Sequence, residues 1–75
     1  MKMPQRLPMK AVFFASLGKG GHIQTYHNAE FDVTKSNEKK DRNAEWVESW
    51  SMAAMPGRSF ATYAELTEAA RELPA

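Results

Sequence analysis

The stretch from Lys10 to Val33 constrains the chain most. It holds an apolar run from Ala11 to Leu17, a glycine-rich corner at Gly18-Lys19-Gly20-Gly21, and then an alternation of apolar and polar residues. Runs of this length, rich in β-branched and aromatic residues, favour strands, and the glycines supply the positive φ that a tight hairpin turn needs. The spacing predicts a β-hairpin over 10–33. In its first strand, period two puts Ala11, Phe13, Ala15 and Leu17 on one face and Val12, Phe14 and Ser16 on the other, so both faces are expected to be covered. In its second, Ile23, Thr25, His27, Ala29, Phe31 and Val33 form the expected dry face, with His22, Gln24, Tyr26, Asn28, Glu30 and Asp32 on the wet one. One strand bent at His27-Asn28 is preferred to two short strands with a turn there.

A chain of 75 residues is one small domain, burying only about 60% of the surface its unfolded form exposes. It has no cysteine, which removes disulfides and cysteine-based metal staples and makes a reducing, cytoplasmic setting the expectation. Two tryptophans, four phenylalanines and two tyrosines are the substitute staple, because each ring brings a large buried area. No segment approaches the roughly 18 consecutive apolar residues of a membrane span. The N-terminus begins like a signal peptide, but Pro4, Pro8 and the short apolar run ending at Lys19 do not make a convincing h-region and cleavage site, so residues 1–9 are expected as a flexible or extended arm before a domain over 10–75.

Net charge is +1, but its distribution is uneven. Residues 1–42 carry eight Lys or Arg against four Asp or Glu, and residues 43–75 carry two against five. The molecule is expected to be electrically two-ended. Lys35 to Asn43 has no apolar residue and is expected as a solvated loop.

Residues 44–55 admit two readings. As a helix capped by Asn43, they line up Trp46, Val47, Trp50, Ala53 and Ala54 on one stripe; as a strand, they leave Glu48 between two tryptophans but pair back onto Phe31 and Val33. The helical pattern is the cleaner one, while a third strand makes a better sheet. Pro56-Gly57 ends the segment, and Thr62 with Glu65 forms a capping box opening a helix to Leu73, which turns Tyr63, Leu66, Ala69, Ala70 and Leu73 inward. The expected fold is α+β, a small antiparallel sheet of two to three strands (hairpin 10–33, third strand or helix 44–55) packed against a C-terminal helix 62–73.

Catalytic and cofactor motifs are not found. Gly18-Lys19-Gly20-Gly21 lacks the spacing of a phosphate loop and sits between strands. His22 and His27 point to opposite faces of a regular strand, so they cannot share a metal. The serines occupy no strained elbow, and Glu30 with Asp32 or Glu45 with Glu48 are wet pairs, poorly tuned for acid–base work. A non-enzymatic protein without metal or cofactor is expected.

Two binding classes remain. Trp46, Trp50, Met52, Met55, Phe60 and Tyr63 crowd into one segment, and such residues are enriched at protein interfaces. The two tryptophans are expected mainly in the core and the two methionines exposed. The candidate protein-binding set is Trp50, Met52 and Met55 with the helix carboxylates Glu65, Glu68 and Glu72, which with Glu45 and Glu48 would form an acidic face for a larger protein or nucleoprotein partner. The second class is nucleic-acid binding through Lys19, Tyr26, Lys35, Lys39, Lys40 and Arg42, opposed by Glu30 and Asp32 on the same expected face. Homodimerisation through the tryptophan-rich segment is compatible with either.

Met55-Pro56-Gly57, followed by Thr62 with Glu65 and Ala69-Ala70, resembles the end of antitoxins of the HicB family, in which a Pro-Gly turn leads into a Thr-capped helix. This spans under a third of the chain, and the preceding strand pattern departs from that family, so no function is carried across. Small, cysteine-free, motif-poor chains are also common among phage and mobile-element accessory proteins, including anti-CRISPR-like inhibitors of host defence. From the aromatic and methionine inventory and the charge split, with that class beside them, the expected function is regulation or inhibition of a larger partner by surface docking.

Overall fold

A computed structural model of the chain describes residues 1–74; Ala75, the end of the expected 10–75 domain, lies outside them. Strands β1 (Lys10–Gly18), β2 (Gly21–Asn28), β3 (Val33–Lys39) and β4 (Val47–Met52) form one antiparallel sheet in chain order, followed by a single helix α1 (Tyr63–Ala70). The chain is a small α+β domain built on antiparallel hairpins. Its sheet has four strands where two or three were expected.

The glycine corner is a hairpin turn. Lys19 and Gly20 both have positive φ, 53° and 82°, a pairing whose twist matches the flanking strands. Gly21 serves a different purpose. A Cβ there would lie 2.4 Å from the Lys40 carbonyl oxygen, so glycine is what lets the β3–β4 loop close over the corner. The Arg42 amide donates to the Lys19 carbonyl at 2.9 Å and ties the two turns together.

The single bent strand expected through residues 21–33 is two strands. Asn28 ends β2, its Oδ1 accepting from the Phe31 amide at 2.9 Å and its Nδ2 donating to the Pro8 carbonyl at 2.8 Å, while Asp32 takes a φ of 52°. Short carboxamide and carboxylate side chains that bond nearby backbone favour such a turn over extended pairing. The expected solvated loop from Lys35 is also corrected, since β3 runs through Lys39 and only Lys40 onward is loop. Its polar side chains tolerate this because pairing on both edges satisfies the backbone while the side chains stay partly wet.

Residues 47–52 are strand, against the cleaner helical pattern. β4 pairs with β3 from Val33↔Met52 to Glu38↔Val47. Glu48 is not stranded between the tryptophans, because the Trp50 indole N–H donates to its carboxylate. A free β3 edge offering a full ladder outweighs the amphipathic period of a short segment.

The core is Val33, Trp50, Met52, Met55, Leu66 and Ala70. It lies on the sheet face that carries Asn28 and Tyr26, expected to be the wet one; Ile23, Thr25 and His27 face the other way and are half-buried. The new turn causes this inversion, bringing Val33 opposite Asn28 and onto the face of Met52. Met52 and Met55, expected to be exposed, are each 4% exposed, whereas Trp46, expected in the core, is 48% exposed. The two tryptophans lie on one face, but only Trp50 lies under the helix.

The Thr62 hydroxyl accepts from the Glu65 amide at 3.1 Å and the Glu65 carboxylate from the Ala61 amide at 3.0 Å, so the expected capping box forms. The helix proper ends at Ala70, short of the expected Leu73, and a final turn carries Leu73. Residues 1–9 run without regular structure along α1. Pro4 accepts from the Tyr63 hydroxyl at 2.7 Å, and the Met1 amine donates to the carbonyls of Leu73 and of Ala70, the latter also accepting from the Leu73 amide at 3.0 Å.

Candidate functional site

On the helix-side face the register builds three rows across the sheet, running outward from the core residue Trp50. The first aligns Ala11, Tyr26, Lys35 and Trp50; the second Phe14, Gln24, Asn37 and Glu48; the third Ser16, His22 and Lys39. Trp46, just before β4, completes the third row by stacking on the His22 ring, with centroids 6.2 Å apart and planes 18° from parallel. Phe14 meets the Tyr26 ring edge-on at 5.8 Å.

Lysines hold the spaces between the rings. Lys35 Nζ lies 5.3 Å from the Trp50 centroid and 5.9 Å from that of Tyr26, and Lys39 Nζ lies 5.9 Å from Trp46. Separations below about 6 Å are in the range of cation–π attraction. The result is an open face of alternating rings and ammonium groups, with Phe14 60% exposed and Trp46 48% exposed. Lys19, Lys40 and Arg42 sit at the adjoining end, on the two turns joined by the Arg42–Lys19 backbone bond.

The carboxylates that opposed this surface leave it. Glu30 and Asp32 belong to the β2–β3 turn, and Asp32 lies 2.7 Å from His27 Nε2 on the far side of β2. Glu48 stays on the face but is held by the Trp50 indole. His22 and His27 point to opposite faces, and no cluster of three metal-binding side chains occurs among the described residues.

The expected protein-binding set does not assemble. Trp50, Met52 and Met55 are buried in the core. Glu65 is occupied in capping, Glu68 pairs with Arg71 at 3.2 Å, and Glu72 is exposed beyond the helix. The nucleic-acid set is brought to one face and its adjoining turns, with Phe14, His22 and Trp46 added. The signal for those three was the cross-strand register, which sets Phe14 opposite Gln24 and His22 opposite Lys39 and is visible only once the strands are known.

An open groove of about 650 Å³ runs between the arm and α1, lined by Met1, Met3, Pro4, Tyr63, Thr67 and Arg71 among others. Burial raises the Tyr63 phenol above its ordinary pKa. No described helix is long and apolar enough to cross a membrane. Comparison with protein-family models, curated proteins and solved structures finds no match to this chain.

Proposed function

We propose that this is a non-enzymatic, cytoplasmic binding protein whose helix-side sheet face takes single-stranded nucleic acid. The observation that carries the reading is the convergence of Phe14, Tyr26, Trp46, Lys35 and Lys39 on one open face, with Glu30 and Asp32 in the β2–β3 turn outside the strands that build it. Exposed rings accept bases by stacking whatever the sequence, and lysines between them track the phosphates. Lys19, Lys40 and Arg42 extend the positive path past the sheet end. An open, flat face suits an unpaired strand, whose bases are free to splay onto it.

Fluorescence anisotropy with labelled single-stranded DNA and RNA tests this. Trp46→Ala or Tyr26→Ala should each weaken binding by about 1–3 kcal/mol, the usual value of a stacked base. Lys35→Ala and Lys39→Ala should each lower the salt slope by roughly 0.7. Absence of binding at low salt, or binding indifferent to all four variants, overturns the reading.

The second reading is docking on a larger protein, as for an inhibitor of host defence from a phage or mobile element. Trp46, 48% exposed, favours it, since an exposed tryptophan is a typical interface anchor. Capture from host lysate with and without nuclease separates the two. A stoichiometric protein retained after nuclease, with no affinity of the pure protein for oligonucleotides, favours docking.

A further inference from the structure

The two edges of the sheet are treated differently. β4 is covered where Phe60 exchanges backbone hydrogen bonds with Trp50 at 2.7 and 2.8 Å. β1 has no neighbour on its outer side among the described residues. Yet β1 is the longest and most apolar strand, with Val12, Phe13, Phe14 and Leu17 at 45–60% exposure on its two faces. An edge strand of this kind is normally protected by charge, proline or cover. Here only local irregularities at Val12 and Leu17 interrupt its ladder.

We infer that β1 pairs antiparallel with β1 of a second copy, joining two four-stranded sheets into one of eight. The occupant follows from the strand's own chemistry. No charged side chain lies between Lys10 and Lys19, so two copies bring like charges near one another only at the two ends of the paired stretch, where Lys10 of one copy neighbours Lys19 of the other. A strand with apolar groups on both faces needs a partner with apolar groups on both faces, and its own copy supplies them at matching positions about a two-fold axis near Phe14. Half-exposed side chains of this size leave roughly 300–400 Å² of apolar surface per copy. Because these side chains project above and below the sheet, edge pairing covers only their flanks and the backbone, less than the ~800 Å² per partner of a standard interface. A concentration-dependent dimer is therefore expected.

Such an axis is perpendicular to the sheet, so the two aromatic-basic faces come to lie on the same side with their Phe14 rings adjacent. The dimer does not depend on the proposed function, but it would double the length of that face.

Sedimentation velocity of the full chain over a concentration series tests the dimer. The wild type should show a monomer–dimer equilibrium, and Phe13→Lys, which alters the face away from α1, should weaken it about tenfold or more, with circular dichroism confirming that the variant folds. Because the chain lacks cysteine, single cysteines placed in turn at Phe13, Phe14 and Ala15 can cross-link only to another copy. The residue on the axis should give a disulfide dimer, and Ser59→Cys should not. A wild type that stays monomeric at every concentration overturns the inference. So does a dimer indifferent to Phe13→Lys whose cross-linking is no greater at 13–15 than at 59.

Discussion

At its Val33–Met52 end the helix-side face is closed by α1, Met55 and the arm, whereas at its Phe14–Trp46 end the same face is open. The difference is one of length. An eight-residue helix is about 12 Å long, while a nine-residue strand reaches about 30 Å, so one helix closes only part of the sheet. The molecule is correspondingly elongated, 44 × 22 × 19 Å. At the closed end aromatic and aliphatic groups give stability; at the open end similar groups are positioned by stacking and cation–π contacts and left accessible. Composition alone does not separate these roles, since Trp50 and Trp46 differ mainly in whether α1 reaches them.

This contrast should be sharpest in the stability of core and open-end variants. Leu66→Ala, at a fully buried site, should cost about 2–5 kcal/mol, most of the margin of a domain this small. Trp46→Ser, at the open end and 48% exposed, should cost only about 0.5–1.5 kcal/mol, the worth of its ring contact with His22. Urea denaturation measures both, and similar losses would break the comparison. At the corner joining the two turns, Gly21→Ala should cost about 3 kcal/mol because backbone must move. Gly18→Ala, which has open space but a φ of 76°, should cost about 1–2 kcal/mol.

The smallest expected effect is at the closed end and depends on pH. Burial raises the Tyr63 phenol pKa, so the folded state keeps that proton after the unfolded chain has lost it. Stability from this source is complete below the ordinary tyrosine pKa and declines as pH rises from there through the raised folded value. Tyr63→Phe should flatten this alkaline decline in denaturation midpoints; a decline unchanged in the variant would locate its cause elsewhere.

Much of the local architecture was legible. The Gly18–Gly21 corner, the first hairpin and the Thr62–Glu65 cap were all readable, because each depends on residues within a few positions of one another. The basic and aromatic residues of the open face could be listed as Lys19, Tyr26, Lys35, Lys39, Lys40 and Arg42, but not joined to Phe14, His22 and Trp46. That grouping needed the register.

The sequence by itself determined the sharp turn at Gly18–Gly21 and where the helix begins, but not the turn from Asn28 to Asp32, since glycine's positive φ, capping and strand propensity are properties of short segments. Only the tertiary structure decided that residues 47–52 are strand, that the polar run from Lys35 enters the sheet, and which face of the sheet is dry. Those outcomes depend on which edge is free to pair and how far a short helix can reach, and both are set by parts of the chain distant in sequence.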